Sequence, residues 1–134
     1  LFDPDHASLA APENMVQAIQ RLIQLQGQGI GEDIGAIARA CLEGLVMRYR
    51  VCLERLEGLL GYRLATIHIV GGGVQNRLLC QMTADATGRE VIAGPVEATA
   101  IGNVLSQCLG DGRLQNIVEA RQRLRSDPSI VRYQ

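Results

Sequence analysis

Apolar positions recur at helical spacing through the first part of the chain and give way to short β-branched runs in the second. Over residues 12–26, Met15, Ile19, Leu22 and Ile23 follow Pro12 and predict a short amphipathic helix, ended by the glycine-rich patch at 27–31. Ile34, Ala38, Cys41, Leu45, Tyr49, Cys52, Leu56 and Leu59 then step by three and four, which predicts a long helix over 32–60 with these residues on its packed face. Its other face carries Arg39 with Glu43 and Arg50 with Glu54, each pair four apart as on a solvated helix surface. Gly61 stops it. "LATIHIV" at 64–70 is apolar enough to predict a strand buried on both faces, with His68 a packed residue rather than a catalyst.

After Gly71, Gly72 and Gly73, the positions Leu78, Leu79, Met82 and Ala86 predict a helix that ends at Gly88, and "EVIAG" at 90–94 predicts a second strand. A helix over 97–109, a weaker one over 114–124 and a polar tail from Ser126 complete the order α-α-β-α-β-α(-α). The fold class is α/β, with two parallel strands joined by a right-handed crossover. Two strands cannot shield both sheet edges or occupy every apolar helix face, so the pattern reads as part of a larger sheet.

With 134 residues and an apolar content of 47%, one globular domain spanning 1–134 is expected. The 13 basic and 14 acidic residues are dispersed, so no footprint for nucleic acid or anionic lipid is visible. Aromatic residues are 3% and Trp is absent, which argues further against a base-stacking platform. No apolar run approaches the roughly 20 residues of a membrane span, and no basic-then-apolar leader opens the chain, so a cytoplasmic location is expected. The first residue is Leu1, which suggests sequence upstream. Cys41, Cys52, Cys80 and Cys108 form no C-x-x-C and have no His at zinc-ligand spacing; Cys41 and Cys52, eleven apart on one helix face, read as small core residues.

The candidate chemistry lies in "HIVGGGVQNRLL" at 68–79. A strand running through glycines into a helix presents unpaired N–H groups and a partial positive charge, and glycine lets a ligand approach the backbone. The spacing is neither G-x-G-x-x-G nor a P-loop. Gly72 and Asn76 are four apart, so a ligand on the glycine backbone could also receive the Asn76 amide. On spacing alone the preferred reading is a tight strand-to-helix turn, with Gln75 and Asn76 as solvated first-turn residues. Among the carboxylates, Asp85 falls inside a helix and Glu97 at a helix start, where it can cap; neither is nominated as a catalytic base. His6 carries no signal. Ala98, Ala100 and Gly102 are small enough for their helix to press on the strand layer, with a second wall of a ligand cleft as the alternative.

The run "IVGGGVQNRLLCQMTADATGREVIAGPVEATAIGN" at 69–103 resembles the C-terminal lobe of FGGY carbohydrate kinases, as do "FDPD" at 2–5, "PENM" at 12–15 and "IARACLEGLVMRYR" at 37–50. The resemblance implies a piece of a ribonuclease-H-like lobe of the actin and hexokinase ATPase type. It implies ATP or ADP with Mg²⁺ as cofactors and Gly71, Gly72, Gly73 and Asn76 as nucleotide-binding residues. Gly72 would lie against the nucleotide, and Asn76 would bond it from the first helical turn. The implied reaction in the complete enzyme is phosphoryl transfer to the 1-hydroxyl of a ketose such as L-rhamnulose. Such kinases are three to four times longer, with a first lobe that grips phosphate and sugar and supplies an aspartate base. By that likeness the chain is a fragment without its N-terminal lobe, inactive alone, holding no catalytic or metal-ligating residue, and prone to homo-oligomerise through its open surfaces. The competing reading is a non-catalytic, actin-like interaction module that self-associates.

Overall fold

The structure, a computed structural model, describes residues 1–29 and 33–134. It divides into two compact units, Leu1–Arg63 and Leu64–Gln134. Among the described residues no helix is long and apolar enough to cross a membrane.

The first unit holds a 3-10 turn at Ala7–Leu9 and two helices, α1 (Met15–Leu25) and α2 (Ile34–Leu60). Although Pro12 pointed to an earlier start, α1 begins after Asn14, whose side chain accepts the Gln17 N–H at 3.1 Å. An Asn oxygen satisfies a first-turn donor, which a proline cannot do. Asp33 caps α2 by accepting the Gly35 N–H at 3.0 Å; the expected start at Glu32, and Ile30 and Gly31 of the glycine-rich patch, lie outside the described residues. Gly61 ends α2 at φ 75, with its N–H on the Glu57 carbonyl. Phe2, Ile19, Leu22, Ile23 and Ile37 form the core, with Leu9, Ala40 and Cys41 against it. A Cβ on Gly44 would stand 3.2 Å from the Phe2 carbonyl oxygen, so this glycine inside a helix admits the N-terminal segment.

The packed face of α2 is not the predicted stripe. Its buried residues are Ile37, Gly44 and Val46, while Ile34, Tyr49, Cys52, Leu56 and Leu59 are exposed. Periodicity marks a face able to pack, but α1 and the N-terminal residues cover only the first half of α2. Cys52 is therefore no core residue here. The Arg39–Glu43 and Arg50–Glu54 ion pairs form at 2.7 and 2.8 Å on the solvated face.

The second unit runs β1 (Thr66–Ile69), a 3-10 helix (Gly71–Gln75), α3 (Arg77–Thr87), β2 (Glu90–Ala93), α4 (Ala98–Gly110), α5 (Ile117–Arg125) and β3 (Val131–Tyr133). β1 and β2 pair in parallel, from Thr66 opposite Glu90 to Ile69 opposite Ala93. The sheet is α/β but mixed and three-stranded, because β3 pairs antiparallel with β2, with Val91 opposite Tyr133. The two-strand expectation missed β3 because an edge strand needs only one apolar face, and Arg132 between Val131 and Tyr133 breaks the apolar run. Asp127 launches it: its carboxylate accepts the Ser129 N–H at 2.8 Å, and its carbonyl accepts the Ile130 N–H.

Cys80, Ala84, Val91 and Ala93 form the core between α3 and the sheet, with Ile67, Ile69, Val74 and Tyr133 packed on it. Thr83 and Thr87 are also buried, and their hydroxyls donate to the carbonyls of Leu79 and Thr83 at 2.7 and 2.6 Å. Gly88 ends α3 in the left-handed region at φ 60. Two expectations fail at the other face. His68 is exposed rather than packed, since Ile67 and Ile69 supply the covered side of β1. No residue of α4 is buried, and Ala100 and Gly102 are exposed, so these small residues do not press on the strand layer.

Val91 is fully buried, and Val91→Ala should cost about 2 kcal/mol in urea denaturation. Leu59 is 86% exposed, and Leu59→Gln should leave stability within about 0.5 kcal/mol. Equal costs would place Leu59 on a packed surface.

Candidate functional site

The glycine loop begins where β1 leaves the sheet. Val70 is still extended, and Gly71 turns the chain at φ +77, a conformation that costs a residue with a Cβ roughly 1–2 kcal/mol. Two main-chain bonds tie this turn to the end of β2: the Gly94 N–H donates to the Ile69 carbonyl at 2.9 Å, and the Gly71 N–H donates to the Pro95 carbonyl at 3.3 Å. Gly94 has φ +124, and Gly94–Pro95 is a cis peptide.

The three glycines therefore do different things. Only Gly71 has a positive φ. Among the described residues a Cβ on Gly72 would meet nothing within 4 Å, and one on Gly73 only the Ile69 methyl at 3.7 Å. Both are exposed, so packing inside this chain does not require glycine at either position. Their bareness leaves room above the loop backbone. A tight turn accounts for Gly71, and the contacts of the described residues give no reason for glycine at the other two positions.

Asn76 does not sit in the first helical turn as the spacing suggested. Residues 71–75 are a 3-10 helix, in which positions three apart eclipse, so Gly73 rather than Gly72 lies in line with Asn76; its carbonyl accepts the Asn76 N–H at 3.2 Å. Asn76 is the N-cap of α3. Its Oδ1 accepts the Leu79 N–H at 3.0 Å, and its carbonyl accepts the Cys80 N–H at 3.1 Å. Because the cap engages Oδ1, the exposed Nδ2 carries the donors Asn76 can present to a ligand. Arg77, exposed at the first residue of α3, adds charge beside the positive end of the helix. Val74 anchors the loop in the core, and Cys80 lies beneath it with Sγ 4.0 Å from the Gly73 carbonyl. Burial pushes the Cys80 thiol up, which keeps it protonated and unreactive.

Sequence reasoning placed Gly94 at the end of the second strand and gave Pro95 no structural role, whereas β2 ends at Ala93 and the Gly-Pro pair, itself a turn signal, turns the chain. The remaining candidates are not drawn to the loop. Asp85 is exposed on α3 and accepts from Gln81 Nε2 at 2.8 Å. Glu97 stands at the N-cap of α4 without a side-chain capping bond, contrary to expectation. His6 caps the 3-10 turn at Ala7–Leu9, accepting the Ser8 N–H. A depression of about 360 Å³ in the first unit is lined by His6, Glu13, Asn14, Gln17 and Arg21 and includes no loop residue. Among the described residues no three His, Cys, Asp or Glu side chains gather to hold a cation.

A model of the FGGY family of carbohydrate kinases, C-terminal domain, matches residues 1–110. Similar curated proteins include the rhamnulokinase of Bacteroides thetaiotaomicron, 43% identical over 122 residues, covering 91% of this chain and 25% of that protein. The rhamnulokinase of Halalkalibacterium halodurans is 37% identical, covering 91% of this chain and 26% of its own length. That of Bacillus subtilis is 38% identical, with 86% and 24% covered. The chain thus spans about a quarter of the length of the curated relatives it matches.

The division among the glycines is open to measurement. Gly71→Ala should destabilise the chain by about 1–2 kcal/mol in denaturant melts, and Gly72→Ala should stay within about 0.5 kcal/mol. A Gly72→Ala cost as large as that of Gly71→Ala would make both glycines conformational necessities.

Proposed function

This chain belongs to the FGGY family of carbohydrate kinases, and from that premise we propose that it is the nucleotide-binding C-terminal part of an ATP-dependent kinase. The substrate would be a ketose such as L-rhamnulose, phosphorylated at its 1-hydroxyl. The observation that carries this reading is the solvent-facing loop in which Gly72 and Gly73 lack side chains without a packing reason. A flat adenosine moiety fits such a surface, since a Cβ there would occupy ligand volume. Gly71 sets the turn, the backbone of Gly72 and Gly73 faces the nucleoside, and Asn76 Nδ2 donates to it while Oδ1 holds the helix start.

When bound, ATP supplies the phosphoryl group. Residues of this chain bind and orient the adenosine end. Mg²⁺ fits no carboxylate cluster among the described residues, so it would enter on the nucleotide phosphates and be held from outside these residues. The phosphate grip, the sugar pocket and the base would likewise come from the remainder of a protein about four times as long, in agreement with the share of the relatives that is matched. In that setting the β1–α3–β2 unit would be part of a ribonuclease-H-like lobe, and the enzyme would be cytoplasmic. The 134-residue chain incubated with ATP, Mg²⁺ and L-rhamnulose should give no sugar phosphate above blank. In the complete kinase, Gly72→Val should weaken ATP binding at least tenfold, about 1.4 kcal/mol, by calorimetry with an unchanged melt. Wild-type affinity in a well-folded variant would remove the loop from the nucleotide site.

A second reading concerns association of the chain by itself. β1 is an edge strand of the three-stranded sheet, and α2 exposes Tyr49, Leu56, Leu59 and Leu60. Unpaired strand groups and contiguous apolar surface are costly in water, and a second copy offers the complementary surfaces when nothing else is present. Sedimentation of this chain should show a dimer at tens of micromolar, with an interface above about 1,000 Å². A well-behaved monomer at that concentration would contradict this.

A further inference from the structure

The C-terminal residues 129–134 lie past the stretch matched by the family model, yet they touch the glycine loop's surroundings at three points. The first is steric. A Cβ on Gly94 would stand 3.2 Å from both the Ile130 Cα and the Ser129 carbonyl oxygen, and 3.4 Å from Ile130 Cγ1, so the tail runs directly against the Gly94 main chain. Gly94 in turn donates to Ile69, and Pro95 accepts from Gly71. Three segments are thus layered: 129–130 against Gly94, and 94–95 against 69–71. The second is the core, where Tyr133 packs on the same cluster as Val74, the loop's only side chain in that core. The third is polar. Gln81 Nε2 on α3 donates to the main-chain oxygen of Gln134 at 3.0 Å, and Arg132 Nη1 pairs with Glu90 at 2.7 Å across the strands.

We propose that residues 129–133 form a brace that positions the glycine loop for its ligand, with Ile130 and Tyr133 as positioning residues. This rests on the nucleotide reading of the loop given above. Among the described residues the loop has few attachments: the Gly71 bond to Pro95, the Cys80 Sγ on the Gly73 carbonyl, Val74 in the core, and the Asn76 cap. Its bare backbone must still meet a planar ligand accurately, because no side chain at Gly72 or Gly73 can adjust to a shift. The brace supplies what the glycines lack, by backing both the Gly94–Pro95 turn and the core under Val74. Neither Ile130 nor Tyr133 touches the ligand; Ile130 acts through Gly94, and Tyr133 through the core cluster on which Val74 also packs.

The test compares an Ile130→Gly, Tyr133→Ala double variant of the complete kinase with the parent and with an Ile130→Val, Tyr133→Phe control. Amide hydrogen exchange over 71–76 without nucleotide should speed up, and KM for ATP should rise roughly three- to tenfold. KM for the sugar should stay unchanged, and the control should restore parent values; a general loss of structure would not move only the nucleotide KM. A folded double variant with parent exchange rates and parent ATP KM overturns the proposal. Faster exchange with an unchanged ATP KM also overturns it if Gly72→Val weakens ATP binding. If Gly72→Val is silent too, that result keeps the brace on the loop and removes the nucleotide reading instead. Should the double variant not melt cooperatively, Ile130→Gly alone is read by the same criteria.

Discussion

Two main-chain hydrogen bonds, from Gly94 to Ile69 and from Gly71 to Pro95, join the ends of the parallel strands and determine where the chain can leave the sheet. Parallel strands carry slanted hydrogen bonds and must be connected by a crossover, so their C-terminal ends emerge on the same side. Here the ends are pinned to each other as they emerge. Gly71 can then turn sharply, the 3-10 helix starts at once, and Asn76 is delivered to the N-terminus of α3. Gly94 is required for the complementary reason: at φ +124, with main chain of Ser129 and Ile130 at 3.2 Å from its would-be Cβ, no side chain has room.

The loop separates two uses of glycine that sequence presents as one run. At Gly71 the missing side chain permits a backbone angle, and its effect falls on folding. At Gly72 and Gly73 it leaves empty space facing solvent, which contributes nothing to folding and costs conformational entropy. Asn76 is similarly divided, with Oδ1 engaged by the helix and Nδ2 available to a ligand. The loop is held by contacts away from its open face: its own Val74 in the core, Cys80 below it and Pro95 beside it set its geometry.

Several apolar surfaces are left open in this chain, which spans about a quarter of the length of the curated relatives it matches. The second half of α2 exposes Tyr49, Leu56, Leu59 and Leu60, β1 is an edge strand of its sheet, and α4 has no buried residue and exposes Val104. Their exposure is a property of the chain considered by itself. Within each unit the cores are complete on a small scale, around Phe2, Leu22 and Ile37 in one and Cys80, Val91 and Ala93 in the other.

Local signals determined most elements, because caps and stops act within a few residues. Gly61 and Gly88 end their helices in the left-handed region, the i,i+4 ion pairs of α2 form where the spacing put them, and the strand–helix–strand order follows from periodicity. The family was likewise legible, in the G-G-G-x-Q-N and G-P-V-E-A runs at their separation. Burial was not, since the stripe of α2 and the alternation at His68 describe which faces could pack and say nothing of what arrives to cover them. β3 escaped because its pairing partner is some 40 residues away and a three-residue edge strand leaves hardly any pattern. Which glycine turns the chain and which ones leave space was also decided only in three dimensions, because φ and the distance to the nearest atom depend on how the ends of β1 and β2 are joined.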